Sequence, residues 1–130
     1  MSKVSSRTFA AIAALTFILT SSAASAQMPT TAETSKGKTF VDAKGMTLYT
    51  YDRDAGGKSM CNGRCAETWP PLAAAADATP AGDMTLVVRD DGNKMWAYKG
   101  KPLYTFRKDI AAGDANGDGF LNGAWHMAKP

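Results

Sequence analysis

From Thr39 onward, short stretches of β-branched and aromatic residues alternate with clusters of Gly, Asp, Asn and Pro, the pattern of strands separated by turns. Side chains two apart share a strand face, so Tyr49 and Tyr51 point one way and Leu48 and Thr50 the other. Further on, Tyr104 and Phe106 share a face opposite Leu103 and Thr105. Met84 to Arg89 and Lys94 to Tyr98 flank Asp90-Asp91-Gly92-Asn93, which predicts a β-hairpin. Helical signal is confined to Cys61–Trp69, where Pro70-Pro71 would end it. Ala73–Ala76 lies between prolines and reads as loop. Gln27–Lys38 (QMPTTAETSKGK) is polar and without apolar periodicity, and reads as a disordered leader over 27–38.

The strands recur. Residues 44–54 (KGMTLYTYDRD) and 99–109 (KGKPLYTFRKD) match at a constant offset of 55, with six identities in eleven positions. Tyr51 answers Phe106, Arg53 answers Lys108, and Phe40-Val41 answers Met95-Trp96 loosely; Trp69 and Trp125 fall one residue off the offset. The expectation is a mainly β, small single domain over 39–130, with two pseudo-symmetric β-hairpin repeats (about 39–72 and 94–128), long loops and at most one short helix. An isolated hairpin is marginal in water, so each copy is expected to need the other to bury its apolar face. Phe40, Leu48, Tyr49, Tyr51, Trp69, Leu86, Val88, Trp96, Leu103, Tyr104, Phe106 and Trp125 are the expected core.

The first 26 residues change the setting. Lys3 and Arg7 precede the apolar run Phe9–Leu19, and Ala24-Ser25-Ala26 precedes Gln27, the order of a signal peptide cut at Ala26-Gln27. The run is too short to cross a bilayer, which takes about 20 residues. The expectation is a periplasmic or extracellular protein without a stable membrane anchor. The whole chain carries 15 basic and 12 acidic residues; without Lys3 and Arg7 the net charge falls from +3 to +1, which argues against a nucleic-acid partner. One histidine and two cysteines exclude a two-histidine site and a four-thiolate metal centre.

Tyr49…Asp54 and Tyr104…Asp109 repeat a Tyr-x4-Asp motif, accompanied by KSMCNGRCAETWPPL, the RDDG turn and GDANGDGFLNGAWHM. Together they resemble a bacterial secreted-repeat family with a duplicated Tyr-x4-Asp motif, often labelled predicted lipoproteins of unknown function. The resemblance covers about residues 39–128 and implies an exported, duplicated, β-rich domain without implying an activity. This chain departs from the lipoprotein label, since no cysteine follows the signal segment.

Residues five apart on a strand face oppositely and lie about 17 Å apart. Tyr49 and Asp54 therefore do not meet unless the strand ends between them. The aspartates read as loop starters whose carboxylates take backbone N–H groups. The tyrosines read as packing units with a tied hydroxyl, and a cleft between the copies that binds a small ligand is the functional alternative.

Cys61 and Cys65 are spaced for neither a thioredoxin-like pair nor haem attachment, and in an exported chain default to a structural disulfide. Redox or metal-ligand roles for the pair stay open, because Arg64 could lower a thiol pKa. Asp114, Asn116 and Asp118, with Phe120 and Asn122, match part of a calcium loop, but Trp125 stands where the bidentate glutamate belongs. The first reading is a glycine-rich loop held by Asx turns, and the alternative is a calcium site completed by a residue from elsewhere such as Asp109. Met60 and His126 supply soft ligands for copper, although methionine is ordinarily core filler. The leading expectation is an exported, non-catalytic module that binds an unidentified protein or small molecule, stiffened by a disulfide and with calcium as a candidate ion. A thiol- or copper-dependent redox protein using Cys61, Cys65, Met60 and His126 is one alternative, and a structural envelope component another.

Overall fold

The computed structural model describes residues 28–130 and, isolated, Thr16; the expected signal peptide otherwise lies outside the described residues. Among the described residues seven strands and two short helical segments follow in the order β1 (Thr30–Thr34), β2 (Gly37–Val41), β3 (Tyr49–Tyr51), α1 (Arg64–Thr68), β4 (Met84–Val88), β5 (Lys94–Tyr98), β6 (Lys101–Pro102), α2 (Phe120–Gly123) and β7 (Trp125–Met127). All strand pairings are antiparallel: β1 with β2, β3 with β7, and β4 with β5 with β6. The mainly β, duplicated single domain is therefore as expected from the sequence.

The expected disordered leader is corrected over Thr30–Thr34, which forms β1 and pairs residue by residue with β2 from Thr30↔Val41 to Thr34↔Gly37. Thr34 closes the turn, its hydroxyl donating to the Gly37 carbonyl at 2.7 Å and accepting from the Lys36 N–H at 3.1 Å. A largely exposed edge strand needs backbone partners rather than apolar side chains, so polarity was a poor guide here. A second correction is α2, beyond the single helix expected. Leu121 and Asn122 adopt φ of 54° and 55° there, so the segment is one left-handed turn. A third concerns Val88, which is 61% exposed at the end of β4, while its neighbour Val87 faces Met95 in the core.

Corresponding backbone hydrogen bonds relate the copies by a pseudo-twofold axis. At the axis Tyr49 and Tyr104 exchange both backbone hydrogen bonds, at 2.7 and 3.0 Å. The Leu48 N–H donates to Phe40 as the Leu103 N–H donates to Trp96, at 2.9 and 3.0 Å. Phe40 therefore corresponds to Trp96, one residue later than the loose alignment to Met95. The cause is a turn one residue longer in the first copy, Ala43-Lys44-Gly45 against Lys99-Gly100.

The copies interleave rather than abut. The first copy's β3 pairs with the second copy's returning tryptophan strand β7, as Tyr49↔Met127, Thr50↔His126 and Tyr51↔Trp125. Reciprocally, the Thr105 and Arg107 N–H groups donate to Pro70 and Thr68 of the first copy, each at 2.9 Å. Between the strands runs a column of four stacked rings, Phe106–Trp69–Trp125–Tyr51, with centroid separations of 4.2, 3.8 and 4.3 Å. The two tryptophans are almost parallel, at 3°. Tyr49 and Tyr104 meet Trp69 and Trp125 edge-on at 5.4 and 5.2 Å, the other geometry aromatic pairs favour. Leu48, Leu103, Phe40, Trp96, Leu72 and Ala128 form a second apolar cluster, again in corresponding pairs.

Each half of the ring column depends on the other copy. Residues 28–81 expressed alone should therefore show no cooperative thermal transition as a monomer, whereas residues 28–130 should melt in one transition. Circular dichroism with sedimentation velocity checks both.

Candidate functional site

The repeated motif does not close on itself. Each tyrosine reaches the aspartate of the other copy: the Tyr49 hydroxyl donates to Asp109 Oδ2 at 2.5 Å, and the Tyr104 hydroxyl donates to Asp54 Oδ2 at 2.6 Å. The strand ends at Tyr51, between Tyr49 and Asp54, and interleaving brings the sister copy's carboxylate to each phenol. The second oxygen of each aspartate latches its own loop. Asp54 Oδ1 accepts the Met60 N–H at 2.7 Å, and Asp109 Oδ1 accepts the Asn116 N–H at 3.0 Å. The aspartates thus act as loop latches, as their position after the strand implied, although on amides six and seven residues away.

Burial, then the adjoining carboxylate, pushes both phenols well above the ordinary tyrosine pKa. They stay protonated hydrogen-bond donors across the physiological range and cannot act as phenolate bases. Asp54 is held above the ordinary carboxylate pKa, chiefly by desolvation, against the opposing pull of Tyr104, the Met60 amide and Arg89.

The surroundings of the two latches differ. Arg89, buried at the end of β4, donates to Ser59 Oγ at 2.8 Å and to the Cys61 carbonyl at 2.8 Å. Ser59 and Tyr104 are hydrogen-bonded at 2.6 Å. Arginine can only donate and Tyr104 donates to the carboxylate, so Ser59 must donate to Tyr104. The chain Arg89→Ser59→Tyr104→Asp54 runs head to tail from a cation to an anion, an order in which each bond polarises the next. At the other latch, the Gly117 N–H donates to the Tyr49 hydroxyl at 3.2 Å. A Cβ on Gly117 would lie 2.7 Å from Trp69, so the loop passes the ring column only as glycine. Arg89, Ser59 and Gly117 were not singled out from the sequence; a lone arginine ending an apolar strand was the one available signal.

Cys61 and Cys65 form a disulfide across the start of α1, with Cα atoms 5.1 Å apart. A bridge closing so short a loop stabilises by about 2 kcal/mol in the chain-entropy account. Met60 is exposed, and His126 Nε2 lies 2.9 Å from Asp52 Oδ2 across the β3–β7 pair. In the acidic loop, Asp114 Oδ2 accepts the Ile110 and Ala111 amides, each at 3.0 Å, which lowers its pKa. Asp118 Oδ1 accepts the Met127 N–H at 3.0 Å, Phe120 packs on Trp69 and Phe106, and Asn122 sits in the left-handed turn. Among the described residues no three His, Cys, Asp or Glu side chains group as metal ligands. Neither Cys61, Cys65 and His126 nor Asp109, Asp114 and Asp118 therefore form one cluster. No helix among the described residues is long and apolar enough to cross a membrane.

Interleaved copies and crossed Tyr–Asp latches make the chain a small duplicated β-protein. The chain belongs to the family described as a secreted repeat of unknown function, whose model matches it twice, over residues 30–73 and 85–129. The matched spans begin in the hairpins β1–β2 and β4–β5. Searches of curated proteins and of solved structures returned no match.

Removing one latch hydroxyl leaves a carboxylate short of a donor, which costs about 1–3 kcal/mol. Tyr49→Phe and Tyr104→Phe should each lower the melting temperature, as differential scanning calorimetry would show.

Asp54 has its pKa raised on folding, so its contribution to stability is present below the ordinary carboxylate pKa and is lost as the pH rises through the folded value. Asp54→Asn removes that term. The stability of Asp54→Asn relative to the parent chain should therefore shift in favour of the variant between pH 4 and pH 7, roughly the span above an ordinary aspartate pKa, as urea titrations at each pH would show.

Proposed function

We propose that the protein is an exported, non-catalytic binding module, released after Ala26, whose Tyr-x4-Asp motifs hold the scaffold together while recognition takes place at grooves along the seam between the copies. The observation that carries this reading is the state of the motif. Both phenols are buried donors and each aspartate serves a phenol and a loop amide, so the repeated residues are occupied in holding the copies together. The seam, by contrast, leaves open clefts. One of about 410 Å³ lies where β3 and β7 meet the β5–β6 turn, within the range of small-molecule sites.

The test is a thermal-shift panel on residues 27–130 with phosphate, citrate, glucose and spermidine, with each ligand followed by proton NMR. A saturable rise in melting temperature with at least one member, and an unchanged ligand spectrum, are expected. Product signals, or no stabilisation by any member, would overturn the reading.

A further inference from the structure

The pseudo-twofold axis makes two corresponding seam grooves, and their differences are informative. The wide one is lined by Thr50, Tyr98, Lys99, Lys101, His126 and Lys129, among others. Its sister, about 150 Å³, is lined by Asp42, Lys44, Pro71, Leu72, Ala73 and Thr105. The backbone exchange that equates Leu72 with Ala128 and Phe40 with Trp96 fixes the correspondence. Thr105 stands for Thr50, Lys44 for Lys99 and Asp42 for Tyr98. Where the wide groove has Lys129, the sister has Ala73, and the counterparts of Lys101 and His126 are Met46 and Pro70.

The copies have thus diverged in charge at one equivalent place. Three lysines and the imidazole surround the wide groove, all of them exposed. The one carboxylate lining it, Asp52, is bonded to His126. The sister is lined by one lysine and one aspartate, and the counterpart of Asp52 beside it is the exposed Arg107. Like charges around a cleft repel one another, and the arrangement is favourable once an anion sits between them.

The turn carrying Lys99 adds a second, independent observation. Tyr98 pairs with Lys101 across the two-residue turn Lys99-Gly100, with φ of 49° and 80°. A turn with both central φ positive favours asparagine or aspartate at the first position. Lysine holds that place here, in a left-handed conformation that side chains rarely adopt. Its ammonium lies 5.3 Å from the centre of the Tyr98 ring, against the groove wall.

We propose that the wide groove binds a small molecule through a phosphate or carboxylate group, with Lys99, Lys101 and Lys129 as the anion-holding residues. This rests on the binding-module reading and names its ligand class. The sister groove, in the same molecule, is the internal control.

The test uses isotope-labelled residues 27–130, titrated with inorganic phosphate and separately with citrate at constant ionic strength. Saturable amide shifts at Tyr98–Lys101 and Met127–Lys129, without matching shifts at Asp42–Met46 and Leu72–Ala73, are expected. The tighter of the two probes identifies the head group. Lys101→Met with Lys129→Ala gives the wide groove its sister's residues at those two positions and should weaken binding about ten-fold with the melting temperature kept. Lys99→Asn should hold or raise the melting temperature, because it suits the turn, while weakening binding. Unsaturable shifts, equal shifts in both grooves, or parent affinity in the double variant would overturn the proposal. Stabilisation by glucose or spermidine alone would also overturn it, and would leave the binding-module reading standing.

Discussion

The crossed hydrogen bonds between Tyr49 and Asp109 and between Tyr104 and Asp54 are the constraint on which the rest of the structure depends. They fix three things at once. Each phenol is held edge-on to a tryptophan, which sets the ring column. Each carboxylate gathers the start of a long loop through its second oxygen. Each loop latch lies within one copy, but each phenol–carboxylate bond joins one copy to the other, and the ring column takes alternate rings from both. Burial strengthens the arrangement, since a phenol in a poorly solvated site favours its neutral, donating form beside a carboxylate.

Much of this was visible in the residues before any coordinates. The match at offset 55 showed duplication, and alternation placed Tyr49 with Tyr51 and Tyr104 with Phe106. The partner of each tyrosine was not visible. A repeat shows that two segments are alike, but it is silent on whether a strand pairs within its copy or across to the other. The β1 strand was missed because its stability comes from main-chain pairing with β2, which a polar composition conceals. Val88 was misplaced because burial on β4 does not follow strict alternation near its end. The contrast between the grooves was latent in Lys101 against Met46, but it needed the corrected alignment of Phe40 with Trp96 to extend to Lys129 and Ala73.

The two halves are alike in backbone and different in side-chain chemistry. One latch continues through Ser59 to a buried guanidinium, and the other ends on a glycine amide pressed against a tryptophan. Among the described residues no carboxylate bonds Arg89 directly, and its guanidinium donates to Ser59, Asn62 and the Cys61 carbonyl. Removing one partner of a buried charge is far costlier than removing an exposed one. The first copy's latch is therefore tied to the disulfide loop, and the second's to the aromatic column.

The exchange of strands across the axis also bears on how such a fold could arise. A chain with a single copy, placing its returning tryptophan strand beside another chain's tyrosine strand, would complete this arrangement only as an intertwined homodimer with twofold symmetry. Joining the two copies in one polypeptide turns that bimolecular assembly into a unimolecular one, and stability no longer depends on dilution. It also frees the two symmetry-related surfaces to differ, which no homodimer encoded by one sequence can do.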